Sequence, residues 1–247
     1  LREYLFADII KDMSNISDLA YHFAKKNKKK IIEQFIAKNI IGNKNPEFIF
    51  MAGAPGAGKT EYSKNLMKTL QEKVETNGIV RIDADEIRKI FKDMGYDGKN
   101  SDDYKRGCIK GIEILFDQCI KNKYHTIIDS TFSSFNVVSK NIQAAIKIKA
   151  TVTLIYLYQD PTVAWGFTKL REKEEGRSIS KEFFISSLFQ SIANVDRIKK
   201  EYGDKITVWL VEKNIKNQDE NVTINIDKLD NYIKIKQDSE SLNKILI

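Results

Sequence analysis

The 247-residue chain is 42% hydrophobic and 30% charged, enough to bury the core of one α/β domain with a small appendage. Three prolines and 12 glycines argue against collagen-like, proline-rich and low-complexity classes, and no apolar run approaches the ~18 residues of a membrane span. Lysine and arginine number 41 against 34 aspartates and glutamates, a net +7, which suits nucleic acid, an anionic nucleotide or an acidic protein partner, or a plain lysine-rich solvated surface.

In chain order, residues 2–40 predict helices. Leu5, Phe6, Ile9, Ile10 and Met13 fall at helical spacing, and Ile31, Phe35 and Ile36 resume it beyond a lysine cluster at 25–30. Residues 39–46, with Gly42 and Pro46, form a connector. Strands and helices then alternate. Residues 48–52 read as a strand, 59–75 as a helix, 79–83 as a second strand and 85–94 as a short helix. A loop at 97–101 leads to a helix over 104–122, a strand at 124–129, a helix over 136–149 and a strand at 152–158. Pro161 opens a helix that ends near Gly176. A helix over 181–202 and a strand at 206–211 follow, and residues 214–247 are polar and irregular, with one strand at 223–226 and a terminal helix.

This alternation calls for a three-layer α/β fold, a mainly parallel sheet covered on both faces. The expected organisation is a helical N-terminal extension over 1–45, the main domain over 46–212 and a C-terminal strand and helix over 213–247. Cys108 and Cys119 lie on one predicted helix, about 16 Å apart at ~1.5 Å per residue, too far for a disulfide. His22 and His125 are the only histidines and lack metal-ligand spacing. A reducing compartment is the expectation.

Gly53-Ala54-Pro55-Gly56-Ala57-Gly58-Lys59-Thr60 matches the phosphate-loop pattern in full, between a predicted strand and a predicted helix. Its glycines let backbone N–H groups turn onto phosphate oxygens, and the helix N-terminus adds its dipole. Lys59 is placed to bridge the β- and γ-phosphates, and the Thr60 hydroxyl to take a Mg²⁺ position. Residues 53–61, ending on Glu61, are thus the expected cradle, with ATP and Mg²⁺ as cofactors. A guanine-specific element is missing: Thr168-Lys169-Leu170-Arg171 ends in the wrong residue. The strand that ends Ile127-Ile128-Asp129-Ser130 lacks the Asp-Glu ending of an ATPase, which favours transfer to an acceptor over hydrolysis.

The second strand ends Arg81-Ile82-Asp83-Ala84-Asp85, followed by Glu86-Ile87-Arg88. If the strand continues, Asp83 and Asp85 share a face at the carboxyl end of the sheet, where ligands bind in such folds. A carboxylate there can take the proton of an acceptor hydroxyl as it attacks the γ-phosphate. Arg88 would keep Asp85 ionised or hold an anionic substrate. The plainer alternative is that one of the two aspartates caps the next helix. Arg171 and Arg177 could close over the triphosphate, or belong to a solvated face of alternating charge.

On these residues the chain resembles the zeta-toxin family of bacterial phosphate-loop kinases, whose studied members phosphorylate the 3′-hydroxyl of the sugar in UDP-N-acetylglucosamine. The likeness runs over about residues 45–212 and rests on the phosphate loop, on Ile82-Asp83-Ala84-Asp85 and on Ile127-Ile128-Asp129-Ser130-Thr131. It implies that Asp85 is the base and that Glu113 is an acidic sugar-contacting residue. It sets Asp129 and Thr131 in a Glu-Gly-Thr substrate element and makes Arg171 and Arg177 the two lid arginines; Asp83 and Arg88, from the strand end itself, are further substrate-binding candidates. Three departures stand out. Asp129 is a methylene shorter than the family glutamate and Ser130 replaces a glycine; only five residues separate the lid arginines, and the loop's Ala54-Pro55-Gly56 is also common in polynucleotide and other small-molecule kinases.

The resemblance further implies an inhibitory antitoxin or immunity partner and a bacterial cytoplasmic setting, with export into a host cell left open. Two alternatives stand beside it. One is a 5′-hydroxyl polynucleotide kinase, for which Asp85-x-x-Arg88 is also the base-plus-arginine arrangement; the other is a non-catalytic, nucleotide-dependent binding module. Phe132, Tyr156, Tyr158 and His125 are read as structural, and Glu113 and Thr131, without the resemblance, as an exposed helical residue and a helix cap.

Overall fold

The computed structural model describes residues 15–73, 78–214, 219–235 and 237–246. The apolar positions between Leu5 and Met13 and the expected helix end at Glu75 lie outside these residues. Asn15 starts the first described helix, α1 (Ile16–Lys26), by accepting the amide of Ser17 at 3.0 Å. Asn27 is its C-cap, with the backbone amide and the side-chain amide both donating to Phe23 O at 2.9 Å. A second helix, α2 (Lys28–Phe35), begins there. The lysine cluster therefore spans two helices rather than one, and helix gives way at Ile36, short of residue 40.

The main sheet follows, with β1 (Glu47–Ala52), β2 (Ile79–Asp83), β3 (His125–Asp129), β4 (Thr151–Tyr158), β5 (Thr207–Asn214) and β6 (Asp219–Ile224). The strand order is β2-β3-β1-β4-β5-β6, parallel except for β6, which runs antiparallel to β5. Strand residues alternate between two cores. Phe48, Phe50, Val80, Ile82, Ile128, Leu154 and Tyr156 face one side. Ile49, Met51, Ile127, Ile155 and Leu157 face the other, under Tyr62, Leu66, Met67 and Leu70 of α3 (Lys59–Lys73). Burial of each such side chain contributes about 1.5–3 kcal/mol. The three-layer α/β fold expected from the alternation is the fold observed.

The remaining helices are α4 (Ala84–Arg88), continued by a 3₁₀ turn over Lys89–Met94, then α5 (Lys105–Asn122), α6 (Phe135–Lys147), α7 (Pro161–Glu175), α8 (Lys181–Tyr202) and α9 (Ser239–Ile245). The short helix predicted at 85–94 is thus one α-turn and one 3₁₀ stretch. At the C-terminus, β5 runs three residues past its predicted end, and β6 starts at Asp219 because its backbone pairs with β5 over six positions. The N-terminal helices dock on α5, where Ala20 and Ala24 are fully buried. Gly107 makes that contact possible, since a methyl there would sit 2.7 Å from Ala20 Cβ. Among the described residues, no helix is long and apolar enough to cross a membrane.

Both cysteines are buried on α5 and unpaired, and burial pushes the thiols up to about 11 (Cys108) and about 12 (Cys119). Alkylation by iodoacetamide at pH 8 is therefore expected to leave the native protein unmodified and to label both thiols in urea, as read by mass spectrometry. Fast labelling of the native protein would contradict this packing. The same shifts have a sign in stability: above about pH 8.5 the unfolded chain releases these protons while the fold retains them, so stability falls as pH rises.

Candidate active site

The phosphate loop leaves the buried carboxyl end of β1 and enters α3. Gly56 has φ +76° and lies under α7, where a methyl would meet Ala164 O at 2.0 Å; no other residue fits that close approach. Lys59 is buried, and its ammonium donates to Gly53 O at 2.9 Å and Ala54 O at 2.7 Å. Burial lowers the Lys59 ammonium to about 8, against the opposing pull of Asp129 and Asp85. The side chain thus folds back over its own loop and lies within electrostatic reach of both carboxylates.

Helix α4 starts where β2 stops, so Asp83 and Asp85 do not alternate along a strand as the sequence suggested. Asp83 is the N-cap and accepts the amide of Asp85 at 2.7 Å. Asp85 stands in the first turn, with its carboxylate among three guanidinium groups. Arg88 donates to it at 2.7 Å, Arg171 at 3.0 Å, and Arg177 at close range. Burial pushes the Asp85 carboxyl upward, but Arg177, Arg88 and Arg171 outweigh it and hold the group below the usual carboxylate range. Arg171 comes from α7 and also pairs with Glu175 at 2.9 Å. Arg177 follows the turn at Gly176. One carboxylate therefore links the end of β2 to the segment after β4.

The family profile described as "Zeta toxin" matches residues 33–229, most of the chain. The chain belongs to the zeta toxin family. No curated protein matches it by sequence. Among solved structures, one of the PezAT chromosomal toxin–antitoxin system of Streptococcus pneumoniae superposes with a TM-score of 0.64 at 17% identity, covering 90% of this chain and 86% of that one. A native AvrRxo1-ORF1:-ORF2 complex gives 0.61 at 12% identity, over 80% and 66% of the two chains. The same complex with ATP gives 0.58 at 11%, over 84% and 65%. At these identities the structures establish a shared fold. The zeta-toxin resemblance drawn from the motifs is thus confirmed over a longer stretch than residues 45–212, and the chain is a phosphate-loop protein of the phosphotransferase type.

Within this zeta-toxin fold the residues singled out from sequence fall into two sets. Lys59, Asp85, Arg88, Arg171, Arg177 and Asp129 converge at the carboxyl ends of β1, β2 and β3. Asp83, expected to bind substrate, is 4% exposed and has its oxygens committed to Asp85 N and Arg81. Burial raises its carboxyl, Asp129 adds to the shift and Arg81 opposes it. Glu113 stands on the exposed face of α5 and pairs with Lys110 at 3.0 Å. Thr131 exchanges a hydrogen bond with Ser133 at 2.9 Å, while the α6 N-cap is Ser134. Glu61 is exposed, 3.8 Å from Lys213 of β5.

For a divalent cation, the chemistry of the donors is oxygen throughout. Ser63 Oγ lies 3.1 Å from Thr60 O and 3.2 Å from Asp129 Oδ2, which ties the carboxylate to the start of α3. Among the described residues no group of three or more His, Cys, Asp or Glu could hold a metal by itself. That donor set fits Mg²⁺, which binds through one or two protein oxygens plus phosphates and water. Sequence reasoning passed over Ser63 and Arg81. The signal for Arg81 was present: a lone charge between Val80 and Ile82 in a buried strand needs partners.

Proposed function

We propose that the protein transfers the γ-phosphate of ATP to a hydroxyl of a UDP-sugar such as UDP-N-acetylglucosamine, the sugar 3′-hydroxyl in the zeta-toxin pattern. The observation that carries this reading is the position of Asp85, an ionised carboxylate that faces Arg88, Arg171 and Arg177 within reach of Lys59. The loop amides would hold the β- and γ-phosphates, and the Thr60 hydroxyl with Asp129 nearby would hold Mg²⁺. Mg²⁺ neutralises phosphate charge when bound. Lys59 leaves the Gly53 and Ala54 carbonyls for the β,γ-bridge. Arg171 and Arg177 exchange the carboxylate for phosphate oxygens, which restores basicity to Asp85. The acceptor oxygen then attacks the γ-phosphorus, its proton passes to Asp85, and ADP leaves.

The low affinity of the trapped Asp85 for a proton is no obstacle, because phosphoryl transfer depends mainly on positioning and charge stabilisation. The family and its neighbours in toxin–antitoxin and two-chain complexes support an inhibitory protein partner of antitoxin type. The 2.7 Å pair of Asp85 and Arg88 favours a second reading, a 5′-hydroxyl polynucleotide kinase. Mass spectrometry after incubation with Mg-ATP, UDP-N-acetylglucosamine, other nucleotide sugars and 5′-hydroxyl oligonucleotides decides between them. Phosphate on a UDP-sugar is the expected result; phosphate only on the oligonucleotide replaces this reading with the second, and no product on any of them removes both.

A further inference from the structure

Arg81 is 6% exposed and has four polar neighbours. Its strand register sets Asp83 directly beside Asp129, and two carboxylates abreast on one sheet face repel. One Arg81 nitrogen bonds both, reaching Asp129 Oδ2 at 3.3 Å. Nε donates to Ser63 Oγ at 2.9 Å, and the remaining nitrogen to Glu86 Oε1 at 2.9 Å. Ser63 is fully buried and carries the tie on to Thr60 O and Asp129. Asp83 carries it the other way, through its second oxygen, to the amide of Asp85. A single guanidinium therefore joins the first turn of α3, the ends of β2 and β3, and the first turn of α4.

We propose that Arg81 is a positioning residue for phosphate transfer, fixing Asp85 relative to the phosphate loop by tying its flanking residues Asp83 and Glu86 to Ser63 and Asp129. The proposal rests on the reading of Asp85 as the base. Arginine suits the task because its planar fork supplies several donors in fixed directions, which a lysine ammonium does not. Without it, Asp83 and Asp129 lose the ion pairs they make with its guanidinium, and Glu86 keeps Lys64 at 3.5 Å. The carboxylates then separate and the cap on α4 loosens. A displacement of about 1 Å at the reacting group is enough to cost on the order of 100-fold in rate.

The test compares Arg81→Met, Arg81→Lys, Asp85→Asn and the double variant Arg81→Met/Asp85→Asn in transfer from labelled ATP to UDP-N-acetylglucosamine. Arg81→Met is expected to lower kcat on the order of 100-fold with KM for ATP changed by no more than about threefold. Arg81→Lys recovers part of the loss, and the double variant is no slower than Asp85→Asn alone. Losses that multiply independently, or an unchanged kcat in folded Arg81→Met, overturn the proposal. Hydrogen exchange supplies a measurement that needs no acceptor: Arg81→Met must speed exchange at the Asp85 amide, and unchanged exchange overturns the proposal as well. Failure of the base reading looks different, as an Asp85→Asn variant with wild-type activity.

Discussion

Asp85→Asn lowers phosphate transfer by about 10³-fold, within the range for loss of a positioned general base, and leaves ATP bound at least as tightly as before. The amide cannot take the acceptor proton, which accounts for the lost rate. Binding holds because the substitution removes a negative charge from a site that must receive a triphosphate. Arg171 and Arg177 lose their ion pairs with Asp85, so that pairing no longer has to be broken before they meet phosphate oxygens, while Arg171 keeps Glu175. Single-turnover transfer gives the rate, and calorimetric titration with a non-hydrolysable ATP analogue gives the affinity. A variant that transfers phosphate normally would remove Asp85 from the chemistry. One that loses rate and affinity together would make Asp85 a support for the nucleotide site instead.

Lys59→Met is expected to cost about 10²–10³-fold in rate, the scale for removing one charge-stabilising donor from a transition state. The two carbonyls that Lys59 bridges belong to Gly53 and Ala54, and methionine preserves much of the packing without bonding them. ATP affinity is expected to fall less than the rate, since the β,γ-bridge strengthens as charge shifts onto the leaving oxygen. Comparing kcat with the dissociation constant for ATP checks this. Full activity would exclude a role for the ammonium in transfer.

Much of this architecture was legible because its signals are local. The apolar run of β1 and the glycine pattern after it occur within thirteen residues, and Pro161 and Gly176 bracket α7. Site residues fixed by tertiary pairing were harder. Asp83 reads from sequence as a candidate ligand, yet the fold gives its oxygens to a helix cap and to Arg81. The partners of Arg81 are spread from residue 63 to residue 129, so no window of the sequence contains them. Glu113 matched a position in a family pattern, whereas the turn of α5 directs it to Lys110 and solvent. The break at Asn27 was missed because lysines on both sides are good helix formers, and nothing in their pattern marks Asn27 as the cap that the structure shows. The start of β6 was missed because its polar residues are ordered by backbone pairing with β5 rather than by burial.

The nesting of Gly56 beneath Ala164 has a mechanical consequence. The phosphate loop passes so close beneath the root of α7 that there is no room at Gly56 for a side chain. Arg171 lies seven residues beyond Ala164, about two helical turns, so it projects from the same helix that covers the loop. Its passage from carboxylate to phosphate is then a side-chain rotation over a few ångströms, on the fast timescale of such motions.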